Sequence, residues 1–244
     1  DGTSTYDGDG NTAVGYQSLY FFDADADGHG GNTALGFSSG EFLSTGTSNT
    51  FLGWSAGQGI TGTRLAGNSN TAVGSHAGLV LQGAANSNTL VGQAAGEAMT
   101  TSTRNVAIGT NALKSQTING GENQGNVAIG YGAADNLDDG DANVVIGSAA
   151  MDASHGNTSD CVIIGARAAD AITGTSADGT VAIGRSALGA LTTGARNLAI
   201  GTGAMDTLTI GDDNIAIGTD ALGAMAATDG NDKNLAIGQY ALAN

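Results

Sequence analysis

The stretch Asn126-Val127-Ala128-Ile129-Gly130 is one of thirteen near copies of a single phrase. It reads NTAVG at Asn11–Gly15 and Asn70–Gly74, NTALG at Asn32–Gly36 and NTFLG at Asn49–Gly53. It becomes NVAIG at Asn105–Gly109, NLAIG at Asn197–Gly201 and NIAIG at Asn214–Gly218. The closing glycines fall 17 to 21 residues apart from Gly15 to Gly238. A fixed period of this length predicts a solenoid, in which one coil cannot bury its apolar face alone and stacking supplies the core. The repeat runs without a break, so residues 1–244 are expected to form one elongated domain of about thirteen coils.

Aligned on the glycine, the phrase resolves into columns. One residue before it stands Val, Leu or Ile every time, from Val14 to Ile237. Three before it stands Thr in the first five coils, then Val, and later Leu or Ile. These two positions lie two residues apart and are rich in β-branched side chains, which predicts a short strand with both on one face. Stacked in parallel, such strands form an all-β parallel solenoid. The residue between them is Ala in nine coils and Phe51, Leu90, Val145 or Ile163 in the rest. A strand with one solvated face carries polar residues on that face, and this one carries none. The branched columns are therefore assigned to the coil's own core. The Ala column (Ala13, Ala34, Ala107, Ala128, Ala182, Ala199, Ala216 and Ala236) is assigned to contact with further copies of the chain. Ala or Ser three residues after the glycine, and a large apolar residue seven after it, predict a second extended segment closing the coil. The recurrent Asn predicts a stacked amide ladder.

Composition narrows the function. The 244 residues include 42 Gly and no Pro, and 7 basic residues face 23 acidic ones for a net charge of −16. That balance argues against nucleic acid and against anionic membrane surfaces, both of which need clustered Lys and Arg. No stretch approaches a membrane span. Cys161 is the one cysteine and stands where Asn normally stands, so it reads as a small buried residue. The chain opens and closes in repeat-like sequence, which reads as a processed chain or a segment of a longer fibre or surface protein.

The phrases NVAIGxxA and NTAVGYQSL resemble the head repeats of YadA-type trimeric autotransporter adhesins. They also resemble the Gly-rich repeats of phage tail fibres. The resemblance covers essentially the whole chain and departs from the adhesin heads in coil length. It implies a left-handed β-roll assembled as a homotrimer, with an attachment role outside the cell, on a cell surface, virion or injection-machine fibre. The partner it implies is a cell-surface receptor or a glycan, met by the variable loops between coils. No enzymatic activity is expected. Two other functions remain open: an ice-binding solenoid, suggested by the ladder Thr12, Thr33, Thr50, Thr71 and Thr89, and a polysaccharide-cleaving fibre.

Candidate sites are few. Asp23, Asp25 and Asp27 before Gly28 open like a calcium loop but lack its closing carboxylate, since position 34 is Ala. Calcium is thus the one candidate metal, and no other cofactor is expected. Asp138, Asp139 and Asp141, and Asp212 with Asp213, form further acidic turns. Tyr16, Phe37 and Trp54 follow the glycine in the first three coils and are expected to stack into an aromatic stripe that could face a sugar. His29, His76 and His155 share no metal-ligand spacing and read as surface residues.

Overall fold

The computed structural model describes residues 10–22, 30–116, 125–153, 156, 158–173, 177–224 and 231–243. Its strands are β1 (Thr12–Val14), β2 (Thr33–Leu35), β3 (Thr50–Leu52), β4 (Thr71–Val73), β5 (Thr89–Val91), β6 (Val106–Ile108) and β7 (Val127–Ile129). They continue as β8 (Val144–Ile146), β9 (Val162–Ile164), β10 (Val181–Ile183), β11 (Leu198–Ile200), β12 (Ile215–Ile217) and β13 (Leu235–Ile237). All thirteen pair in chain order in one parallel sheet. Like stands on like: Val106 pairs Val127, Val127 pairs Val144, and Ile108 pairs Ile129. At about 4.8 Å per strand the sheet is roughly 60 Å long. The predicted β-solenoid and its strand positions are present.

The inside and the outside of the strand are exchanged relative to the sequence reading. Ala34, Ala107, Ala128, Ala182, Ala199 and Ala216 are completely buried within the single chain, and Ala236 is 4% exposed. Ala13, in β1, is exposed. The Ala column thus lines the coil's own interior and is not available to a second chain. The branched columns point outward: Leu35, Leu52 and Ile108 are 46%, 42% and 38% exposed.

The reason is volume. Each coil is thin, and its strand faces the residue four after the glycine across a narrow interior. Where the strand supplies Ala, the opposite position is large in four coils (Ala107 with Leu113, Ala182 with Leu188, Ala199 with Met205, Ala216 with Leu222), while opposite Ala34 and Ala72 stand Gly40 and Gly78, against which Phe51 and Leu90 of the next coil pack. Where the strand supplies its largest residues, the opposite position shrinks: Phe51 with Gly57, Leu90 with Gly96, Ile163 with Ala169; the smaller Val145 stands opposite Met151. These side chains are fully or almost fully buried. A Cβ on Gly57 would lie 2.3 Å from the Phe51 ring, and one on Gly40, a coil earlier, 2.8 Å from it. Interiors packed at crystal-like density require such compensation.

The segment after the glycine is a chain of turns, not a second strand. Among the described residues only isolated bridges occur there, such as Leu43 with Leu65 and Thr193 with Ile210. Its corners are built from residues at positive φ that recur coil after coil: Asn111, Arg167 and Ser186 two after the glycine, Leu113, Ala169 and Leu188 four after it. Single left-handed residues carry a cost in L-amino acids, and here coil stacking offsets it. The Arg167 N–H donates to Ser148 O at 3.0 Å, and the Leu188 N–H to Ala204 O at 2.9 Å. Every corner is thereby tied to the coil beside it.

The Asn column forms the expected ladder. Asn143 donates its backbone N–H and its Nδ2 to Asn126 Oδ1 at 2.9 and 3.1 Å, and Nδ2 also reaches Thr158 O at 2.7 Å. The arrangement recurs at Asn49, Asn70 and Asn214. These amides are fully buried, so satisfaction of both ends is what makes their burial tolerable. The ladder is interrupted at Cys161 and Thr180. The Cys161 N–H still donates to Asn143 Oδ1 at 3.0 Å, but only the thiol faces Ala177 O, at 3.2 Å. Restoring the amide with Cys161→Asn adds two N–H donors to acceptors already in place. It is expected to stabilise by about 1 kcal/mol, read as a rise in melting temperature of about 2–4 °C for a chain this long.

Candidate interaction surfaces

The outer face of the sheet is the largest organised surface. From β6 onward both of its ladders are aliphatic: Val106, Val127, Val144, Val162 and Val181 on one line, with Ile108, Ile129, Ile146, Ile164 and Ile183 beside them. Side chains on these lines are half-buried by their neighbours along the ladder and open to solvent above it. In β1 to β5 the first line is Thr12, Thr33, Thr50, Thr71 and Thr89, in register. These hydroxyl-bearing residues lie on the outer face, not in the core to which the sequence reading assigned them. A face about 60 Å long and roughly 10 Å wide is on the order of 600 Å², at the upper end of what monomeric proteins leave open.

The aromatic stripe is present in two pieces. Tyr16 and Phe37 stack with centroids 5.4 Å apart and planes 19° apart. Trp54 meets His76 instead, at 5.2 Å and 47°. All three predicted aromatics are at least half exposed. A second aromatic ladder went unread in the sequence. Phe21 and Phe42 stack at 5.1 Å and 14°, and the Arg64 guanidinium lies 4.7 Å over the Phe21 ring. Its signal was available, since both Phe residues stand six after the glycine in successive coils.

The acidic turns serve the backbone. Asp212 Oδ1 accepts the Ala195 N–H at 2.9 Å, and the Asp212 N–H donates to Asp232 Oδ1 at 2.8 Å. Arg196 forks onto Asp213 at 2.7 and 3.1 Å and holds that carboxyl below its ordinary range. Burial, then the charges of Asp139 and Asp160, raise the Asp141 pKa. Asp138 and Asp139 lie in the same turn. Among the described residues no group of three or more His, Cys, Asp or Glu is placed to hold a metal ion. The calcium candidates Asp23, Asp25 and Asp27 lie outside the described residues, as do His29 and His155. Cys161 is buried, and burial pushes its thiol up to about 11, so at neutral pH it is a protonated packing group.

Among the described residues no helix is long and apolar enough to cross a membrane. The chain matches no known protein family, no curated protein and no solved structure.

Proposed function

We propose that this chain is a structural and attachment segment of a homotrimeric fibre or adhesin head, a left-handed β-roll displayed outside the cell. One observation carries the reading: the outer face of the sheet is an unbroken double ladder of aliphatic side chains from β6 to β13. Purely parallel sheets are covered on both faces, and the coil interior covers only the Ala face. The cover proposed for the other is the same ladder on further copies of the chain, since identical flat ladders of equal pitch interlock along their whole length. A stable interface takes about 800 Å² from each partner, a scale the face and its flanks approach. The winding sense and the number three rest on the likeness of the NVAIG phrases to trimeric fibre heads. In this reading the loops between coils and the aromatic corners meet a receptor or glycan. Sedimentation equilibrium tests it: the expected mass is three times the 23.7 kDa of the chain. A single-chain mass at micromolar concentration sinks it.

A second reading has an observation of its own. The five-residue Thr ladder lies in register on the outer face beside Val14, Leu35, Leu52, Val73 and Val91, an array of hydroxyls and methyls repeating at about 4.8 Å. Such an array could order water into an ice-like layer. Thermal hysteresis in a nanolitre osmometer decides it, and its absence in a monomeric preparation removes the idea.

A further inference from the structure

The C-terminal half of the roll carries a notch on the corner just after the closing glycines. Tyr131, Ser148, Ala166, Arg167, Arg185 and Ser186 line it. The sheet register fixes how they stack. Ile129, Ile146, Ile164 and Ile183 are successive partners, so Tyr131, Ser148, Ala166 and Arg185, each two residues further on, lie one above the next at about 4.8 Å steps. Tyr131 and Arg185 are thus separated by roughly 14 Å. The floor between them is made of small side chains. The corner is also held: the Ala149 N–H donates to Tyr131 O at 2.8 Å, the Ser186 N–H to Ala166 O at 3.1 Å and the Gly203 N–H to Arg185 O at 3.0 Å.

The charge here is anomalous. Only seven basic residues exist in a chain of net charge −16, and two of them meet in adjacent coils. Other cations are engaged: Arg196 on Asp212 and Asp213, Lys114 near Glu97, Arg64 on Phe21. Among the described residues no carboxylate comes within 4.0 Å of Arg167 or Arg185. Asp170 feels the Arg167 charge without pairing with it. Two exposed arginines from adjacent coils thus line one end of a notch whose other end is a tyrosine ring and whose lining carries two hydroxyls.

We infer that this notch is a binding site for a short acidic saccharide, one carboxylate set among neutral sugar rings. The guanidinium fork matches a carboxylate in the plane of its two oxygens. The Tyr131 ring, 63% exposed, offers a flat apolar face to the axial C–H groups of a pyranose. Ser148 and Ser186 supply hydroxyls for the ring substituents. The strongly negative chain repels a long polyanion, which favours a ligand of one or two charges. The site is complete within one chain, so it does not depend on the fibre reading.

Titration calorimetry at low ionic strength, on the full chain, tests the inference. The acidic probes are 3′-sialyllactose and a hyaluronan tetrasaccharide; lactose and chitotetraose are the neutral counterparts. At least one acidic probe is expected to bind with millimolar affinity or better, and its neutral counterpart at least tenfold more weakly. The double variant Arg167→Gln/Arg185→Gln is expected to lose at least tenfold, and Tyr131→Ala severalfold, with melting temperature and sedimentation unchanged. Inorganic phosphate is the control for bare anion capture. Three results overturn the site: neither acidic probe binding, the double variant binding like the parent, or phosphate matching the saccharide with Tyr131→Ala indifferent. Because sedimentation is read on the same samples, loss of the saccharide and loss of the assembly are told apart.

Discussion

Gly109→Ala is expected to lower stability by roughly 3–5 kcal/mol, through backbone strain at positive φ and overpacking together. Gly109 has φ +132, and a Cβ there would sit 2.4 Å from the carbonyl oxygen of Gly130. That oxygen belongs to the backbone of the next coil, so no side-chain rotation relieves the contact. The same geometry recurs up the column from Gly15 to Gly218, with φ from +132 to +142. A thermal melt should fall by about 10 °C or more. The control is Gly62→Ala, where a Cβ meets nothing within 4 Å and φ is not positive; it is expected to be neutral or slightly stabilising. Gly125→Ala separates the two causes. Its φ is +52 with open space around it, so it carries the left-handed penalty of about 1–2 kcal/mol and no clash. Equal losses at Gly62 and Gly109 would contradict the stacked-glycine geometry.

Much of this was written in the sequence, because the repeat is an alignment of the chain with itself. The strand positions, their parallel register and the Asn ladder all follow from columns that period 2 and hydrogen-bond chemistry make readable. The assignment of strand faces did not follow. Alternation distinguishes two faces but says which is inside only when one of them is polar, and here Ala stands between Thr or Val and Ile. The missing information was volume. Phe51 beside Gly57, Leu90 beside Gly96 and Ala107 beside Leu113 are compensating pairs in the sequence itself, and compensation marks residues that share one confined space. A column of Ile has no such counterpart and so lies outside. The corners were unreadable for a different reason. Leu113, Arg167 and Ser186 adopt positive φ that nothing in their side chains favours, since stacked coils impose it. The notch around Arg185 escaped because its members, though they stack in the columns just after the glycine, come from four coils and change residue type from one coil to the next.

The exchange of faces makes a sharp pair of variants, Ala128→Asp and Ile129→Asp, adjacent residues with opposite outcomes. Ala128 is fully buried between two neighbouring Ala and Val strands. A carboxylate there enters a dry interior with no partner and no room, at a cost of several kcal/mol. Nearest-neighbour coupling spreads that loss to the coils on both sides. Ala128→Asp is therefore expected to abolish the cooperative melt of the central coils and to yield largely insoluble protein. Ile129 stands on the outer ladder and is only half-buried by its own chain. In an isolated chain, Ile129→Asp is expected to cost at most about 1 kcal/mol, as surface substitutions do. In the proposed homotrimer it places three carboxylates against each other in an apolar seam, where desolvation and like-charge repulsion add. Far-UV circular dichroism should then report a retained β-roll, while sedimentation reports a shift from three chains to one. Lowering the pH below the carboxylate range should reverse that dissociation, because protonation removes the charge but not the side chain. A folded, soluble Ala128→Asp protein beside an unfolded Ile129→Asp one would turn the roll inside out. A folded Ile129→Asp protein of unchanged mass would leave the fold standing and remove the outer ladder as the seam between chains.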